Sequence, residues 1–328
     1  MSLDSSTSKY MANLNDVAKI AGVTPTTVSR VINMRGSLSQ KTIDRVHAAM
    51  RELNYQPNAM ARSLQGKKSQ LIGLIFPSVA YPFYGEIIHA IESKLFARGY
   101  KAILCDSEND PVKERAYLTM LMANQVDGII TSSHNKEIHE YENDNLAIVA
   151  FDRYLADGIP IVSSDNLAGG QLATEYLYAQ GCRKIAMVAG VSDTISPTQN
   201  RRLGYQNRMA EKQLTPLIHY LARESNLNQK RQSIYQFLVD QAPDGVFCTD
   251  DLTAVIVQNL ATTLQLDDLK VVGYDGTQVI QSFMPSLSTI VQPIDALADL
   301  MVKILIQKIE DEQFVPQANY VLPVTLKK

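Results

Sequence analysis

Residues 14–33 read LNDVAKIAGVTPTTVSRVIN, two short helical patterns joined by a glycine. Asn13 and Asp16 have the spacing of a capping box, Val17, Ala18 and Ala21 repeat on one face, and Gly22 stops the pattern after about two turns. Thr24 then suits an N-cap and Pro25 the first helical position, with Val28, Val31 and Ile32 as a second apolar face. A third pattern starts at Ser39 and carries Ile43, Val46, Met50 and Leu53, enough to cover the first two helices. The expectation is a tri-helical domain over residues 13–57 with a helix-turn-helix at its front. Its second helix turns Pro25, Thr26, Thr27, Ser29, Arg30 and Asn33 away from the buried face. Short hydroxyls and a fork-shaped cation can reach base edges and phosphates in a major groove.

Charge divides the chain at the same place. The 328 residues sum to −3, but residues 1–70 hold ten Lys/Arg against four Asp/Glu, a net of +6, which leaves −9 for the remaining 258. A basic head on an acidic body implies that the head meets a polyanion and the body does not. A merely solvated basic surface is the plainer alternative. Residues 1–12 are polar and aperiodic and read as a leader or disordered arm. No apolar run approaches a bilayer span and no hydrophobic signal core is present, so a cytoplasmic protein without a membrane partner is expected. Cys105, Cys182 and Cys248, odd in number and each inside an apolar run, suit buried thiols in a reducing compartment.

Beyond residue 70 short apolar runs alternate with helical stretches. LIGLIF (71–76), KAILCD (101–106), DGIIT (127–131) and LAIVAF (146–151) form one series; IPIVSS (159–164), KIAMVAG (184–190), LIHYL (217–221), GVFC (245–248) and LKVVGYD (269–275) form a second; YVLPVTL (320–326) follows both. Such alternation predicts βαβ units and parallel sheets, and ten strands divide better into two sheets than one, with the break placed at Ile159-Pro160. The expected fold is an all-α head plus an α/β body of two parallel-sheet, Rossmann-like subdomains.

Ligands of such sheets lie at the carboxyl ends of the strands, which singles out residues 78–84 with Phe83 and Tyr84, Asp106, Ser132, Asp152, Arg153, Asp165, residues 193–202 with Arg201 and Arg202, Asp250, Asp251 and Asp275. Carboxylates accept hydroxyl protons, arginine donates in a fork, and rings stack on C–H faces, together the inventory of a sugar site. Plainer roles stand beside this one: Asp250 as the cap of a helix from Asp251, Asp275 as closure of the Gly273–Gly276 turn, Phe83 as core, Arg153 and Arg202 as surface pairs. The sequence has no nucleophile elbow and no dinucleotide glycine motif, and His134 and His139 lack a metal-site spacing. Neither catalysis nor a cofactor nor a metal is expected.

The stretch 14–33, followed by LSQKTIDRVHAAMRELNYQPNAMARSLQGK (38–67), resembles the DNA-binding head and hinge of the LacI/GalR family of bacterial repressors. The order of elements in the body is similar to the type I periplasmic-binding-protein architecture that follows this head in the family. By resemblance, Pro25 and Thr26 select operator bases, and Thr24, Thr27, Ser29, Arg30 and Asn33 complete the DNA-facing helix. Residues 58–69 become a hinge helix and linker, with Asn58 and Ala61 against the minor groove and Leu64 wedged between central base pairs. In the body, Phe83 and Tyr84 match an aromatic pair over the ligand, Asp152 and Asp275 acids on sugar hydroxyls, and Arg201 a ligand arginine. Residues 70–328 then form an effector-binding and dimerisation domain, its N-subdomain about 70–162 with 292–318 and its C-subdomain about 163–291 with 319–328.

ARSLQGKKSQLIGLIFP (61–77), IPIVSSDN (159–166) and PDGVFCTDDLTA (243–254) are similar to that family's regulators of sucrose genes. The resemblance implies a homodimeric repressor of sucrose or fructoside utilisation, released from a palindromic operator by sucrose, fructose or a phosphate of either. Ligand would close the two half-domains and unravel the hinge helices. Two other readings stay open: a catabolite control regulator with a phosphorylated carrier protein as corepressor, and a sugar-binding receptor without DNA function.

Overall fold

The computed structural model of the chain describes residues 12–32, 36–55, 68–133, 135, 138–142, 146–191, 196–222 and 225–328, and it divides into two compact units, Met1–Ser69 and Gln70–Lys328. The expectations for residues 1–11, Asn33, His134 and the hinge, with Asn58, Ala61 and Leu64, lie outside the described residues.

The first unit contains α1 (Leu14–Ala21), α2 (Pro25–Ile32) and α3 (Gln40–Glu52). Local chemistry sets each end. The Asn13 side chain accepts from the Asn15 and Asp16 amides at 2.8 and 3.3 Å, Asp16 accepts the Asn13 amide at 2.8 Å, and Gly22 leaves the helix with φ 60°. Ser39 caps α3 through the Thr42 amide. Val17, Ala18, Ala21, Val28, Val31, Val46 and Ala49 bury together and hold the three helices around one small core.

The second unit is built on two six-stranded sheets. The first takes β1 (Leu71–Phe76), β2 (Lys101–Asp106), β3 (Gly128–Thr131), β4 (Ala147–Phe151), β5 (Ile161–Ser164) and β11 (Asn319–Leu322), in the order β11-β5-β4-β3-β1-β2 and all parallel. Helices α4 (Pro82–Ala97), α5 (Pro111–Ala123) and α11 (Ile294–Glu310) bury their apolar faces against it. The second takes β6 (Ile185–Gly190), β7 (Leu217–Leu221), β8 (Gly245–Cys248), β9 (Lys270–Asp275), β10 (Ser288–Val291) and β12 (Thr325–Lys327), in the order β12-β10-β9-β8-β6-β7. It packs with α6 (Asn166–Ala179), α7 (Asn200–Glu211), α8 (Leu227–Gln241) and α9 (Asp251–Thr263), and α10 (Gln278–Phe283) follows β9. The three cysteines are free and buried. No helix among the described residues is long and apolar enough to cross a membrane.

Three features differ from the sequence reading. The chain does not leave the first sheet at Ile159-Pro160. Pro160 accepts the Ala150 amide at 2.9 Å through its carbonyl, so it enters the ladder without needing an N–H, and Ile161–Ser164 stays buried between β4 and β11. The crossing therefore falls after Ser164 rather than at 162, and residues 319–322 belong to the first sheet rather than the second. YVLPVTL splits at Pro323, its first half adding to one sheet and its second to the other. Finally, β10 escaped the strand count because Ser288 and Thr289 break its apolar run, and its pairing with β12 is antiparallel in an otherwise parallel sheet.

Candidate functional site

In the head, Pro25, Thr26 and Arg30 of α2 are exposed, while Thr27 and Ser29 are half-buried. Thr24 is exposed but engaged: its Oγ accepts the Thr27 amide at 3.2 Å and lies 2.9 Å from the Thr27 hydroxyl. Thr24 and Thr27 thus fasten the start of α2, and Pro25, Thr26 and Arg30 form the open surface that a nucleic acid could meet.

In the body, the ends of β1, β4, β6, β7, β8, β9 and β10 converge on a cavity of about 370 Å³. Its size and mixed lining suit a small polar ligand. One wall is aromatic. Phe83 stacks on Phe151 with centroids 5.7 Å apart, and Tyr84 meets Phe83 edge-on at 5.7 Å. Phe83 is both core and lining, so its two readings coincide.

Arg201, at the second position of α7, is 6% exposed and organises the floor. Its Nε donates to Asn166 Oδ1 at 2.7 Å, and its Nη1 donates to the Thr249 carbonyl at 2.6 Å. The guanidinium lies 3.6 Å over the Tyr274 ring, with Asp152 and Asp275 carboxylates at 3.9 and 4.0 Å. Burial alone would lower its pKa, but Tyr274, Asp275, Asp152 and Asp250 together hold it above the ordinary value. Burial pushes the Asp275 carboxyl well up, because the long contact to Arg201 offsets desolvation only in part.

Both acids sit at strand ends in the left-handed region, Asp152 at φ 55° and Asp275 at φ 114°. Such backbone costs on the order of 1–3 kcal/mol per residue and concentrates at ligand sites. Hydrogen bonds from the other half of the cleft or the crossing segments fix each carboxylate. Asp152 accepts from Asn166 Nδ2 at 2.9 Å and from Thr198 Oγ at 3.1 Å, while Asp275 accepts from Gln292 Nε2 at 2.8 Å.

Asp250 lines the cavity and also caps α9. Its carboxylate accepts the Thr253 amide and hydroxyl, each at 2.8 Å. Each oxygen retains a second lone pair for a ligand. Ser132 and Arg153 do not reach the cavity surface. Ser132 is buried beside Tyr84, and Arg153 donates to the Asp152 carbonyl at 2.6 Å and to the Thr198 hydroxyl. Arg153 is therefore a clasp between the two halves rather than a surface pair.

Sequence reasoning missed Asn166, Tyr274 and Gln292, which position Arg201 and the acids, and Tyr220 and Lys230, which line the cavity beside Arg202. It placed Arg202 at a strand end, with a surface pair as the plainer alternative. Gln292 follows the unrecognised β10, and Tyr220 sits inside an apolar run, so neither carried a local signal.

Asp251 adds a titrating group under the site. It is 2% exposed, accepts the Thr289 hydroxyl at 2.6 Å and the Gly276 amide at 2.8 Å, and burial pushes it up to about 6. The folded chain then binds this proton more tightly than the unfolded chain, so its stabilisation is present at low pH and is lost as pH rises through about 6. The stability difference between the protein and its Asp251→Asn variant is expected to move against the unsubstituted protein by roughly 1–3 kcal/mol between about pH 4 and about pH 7. Denaturant titrations across that window check it, and a pH-independent difference would refute it.

The bacterial regulatory protein lacI family matches residues 13–58, and a periplasmic binding protein-like domain matches 174–328. Over 318 residues the chain is 52% identical to the sucrose operon repressor of Pediococcus pentosaceus, covering 96% of this chain and 98% of that protein. It is 50% identical over 319 residues to the sucrose operon repressor of Streptococcus mutans, with the same shares covered. The lac repressor dimer bound to operator and the anti-inducer ONPF superposes with a TM-score of 0.83 at 29% identity, over 97% of this chain and 98% of that one.

Proposed function

The chain belongs to the lacI family of bacterial regulatory proteins, and on that premise we propose that it is a cytoplasmic homodimer that represses sucrose or fructoside utilisation genes. It binds a palindromic operator through α2 and is released by a sugar or sugar phosphate in the body. Base contacts come from Pro25, Thr26 and Arg30, with Thr27 and Ser29 behind them. Proline lacks a donor, so its readout is apolar.

The observation that carries the sugar half is the Arg201 floor, one guanidinium between two carboxylates under an aromatic wall. Hydroxyls of a polyol meet acceptors at Asp152, Asp250 and Asp275, and the C–H faces meet Phe83 and Tyr84. Closure of the halves on ligand passes through the Arg153–Thr198–Asp152 contacts. A coupling of about 1–3 kcal/mol between sites changes operator affinity about 5 to 150-fold.

Mobility-shift titrations on palindromic promoter DNA test the DNA half. Operator affinity is expected to fall at least about tenfold between about 50 and about 200 mM salt, because phosphate contacts release counterions. Arg30→Ala is expected to cost about 1–3 kcal/mol and to relax discrimination at the base it meets. Affinity that is flat with salt, or unchanged in Arg30→Ala, would remove the head as the DNA contact.

A further inference from the structure

We propose that Arg202, Tyr220 and Lys230 form an anion subsite in the cleft and that the effector is a sugar phosphate, its phosphoryl group seated on these three side chains. The inference rests on the sugar reading of the Arg201 floor and adds which chemical form of sugar the cleft takes.

All three residues line the same cavity as Arg201, Asp152 and Asp275. Arg202 follows Arg201 on α7, and successive residues of a helix diverge by about 100°, so the two guanidiniums serve different places. Arg201 is committed: two carboxylates, a carbonyl and an aromatic ring hold it. Arg202 and Lys230 form no ion pair with any described carboxylate, although acids are the majority among the charged residues of this body. Arg202 Nη1 donates to Tyr220 Oη at 3.0 Å. With that donor on its oxygen, the Tyr220 hydroxyl keeps its own proton to donate.

The group therefore offers a guanidinium, an ammonium and an O–H, all donors, where Asp152, Asp250 and Asp275 of the same cavity offer carboxylate acceptors. A neutral polyol uses donors and acceptors throughout and leaves two cations without a counter-charge among the described residues. A phosphate monoester carries about −1.5 to −2 charge at neutral pH with three acceptor oxygens. That matches the two cations and the hydroxyl in both charge and hydrogen-bonding sense.

Calorimetry on the full chain with sucrose, sucrose 6-phosphate, fructose, fructose 6-phosphate, glucuronate and inorganic phosphate tests the assignment. At least one sugar phosphate is expected to bind about 100-fold tighter than its parent sugar, since each charge-assisted hydrogen bond strengthens binding by about tenfold or more. In the R202Q/K230Q variant that ratio is expected to fall at least about tenfold, whereas R201K weakens parent and phosphate alike and keeps the ratio. Equal affinity for parent and phosphate overturns the subsite, as does a ratio that survives R202Q/K230Q, a preference for glucuronate, or inorganic phosphate binding as tightly as the sugar phosphate. Failure of every sugar and every sugar phosphate to bind overturns the sugar reading itself.

Discussion

Replacing Arg201 by methionine is expected to lower effector affinity about 100-fold or more and to destabilise the body by about 3–5 kcal/mol, because truncating one partner of a buried charge set strands the others. Asp152 and Asp275 would be left facing each other's field without their cation, Asn166 Oδ1 and the Thr249 carbonyl would each lose a donor, and Tyr274 would lose the guanidinium on its ring. Operator binding without sugar is expected to persist, so the variant should repress without responding. Arg201→Lys separates the two effects. An ammonium restores the charge between the acids but cannot serve Asn166 and Thr249 with one planar fork. Stability should return in large part and sugar affinity should not. Denaturant midpoints and calorimetry read the two quantities, and an Arg201→Lys variant that binds sugar as tightly as the unsubstituted protein would remove the fork from the mechanism.

The ease with which the head is read and the difficulty of the cleft share one cause, the distance along the chain over which each signal acts. Asn13 with Asp16, Gly22, Thr24 with Pro25 and Ser39 are signals that act within four residues, and each ends or starts a helix where its chemistry demands. The strand runs were legible for the same reason, since both faces of an inner strand are buried and the run is continuous. At β10 the polar Ser288 and Thr289 carry bonds to Tyr176 and Asp251, and a strand whose polarity is satisfied by partners 112 and 38 residues away has no local signature. The cleft divides similarly. Asp152, Asp250 and Asp275 stand directly after apolar runs, so the strand-end rule finds them. Asn166 and Gln292 matter through Arg201, Asp152 and Asp275, contacts made across two crossings of the chain that no window of sequence contains. Resemblance supplied Arg201, which no strand-end rule ranks above its neighbour Arg202.

Gly170→Ala is expected to destabilise the body by about 3 kcal/mol or more, a fall in melting temperature on the order of 10 °C, and to weaken sugar binding at the same time. The reason is where α6 and α7 cross. A Cβ at Gly170 would lie 2.1 Å from the Arg201 carbonyl oxygen and 3.0 Å from the Tyr205 amide, and a Cβ at Gly204 would lie 2.2 Å from the Leu167 carbonyl oxygen. Backbone meets backbone on both sides, so no rotamer change relieves the contact and the helices must separate. Separation is transmitted to the ligand because the struck carbonyl belongs to Arg201 itself. Arg201 is held by Asn166 at the start of α6, so moving one helix from the other draws the guanidinium off Asn166 and away from Asp152 and Asp275. Gly190→Ala is the control for backbone entropy: nothing lies within 4 Å of a Cβ there, and its cost is expected within about 0.5 kcal/mol. Melting curves and calorimetry on Gly170→Ala and Gly204→Ala, with melting of Gly190→Ala beside them, decide it. A Gly170→Ala protein that melts with Gly190→Ala and binds sugar normally would mean that the crossing yields without disturbing Arg201, and that the close approach of the two helices is not what sets the floor of the site.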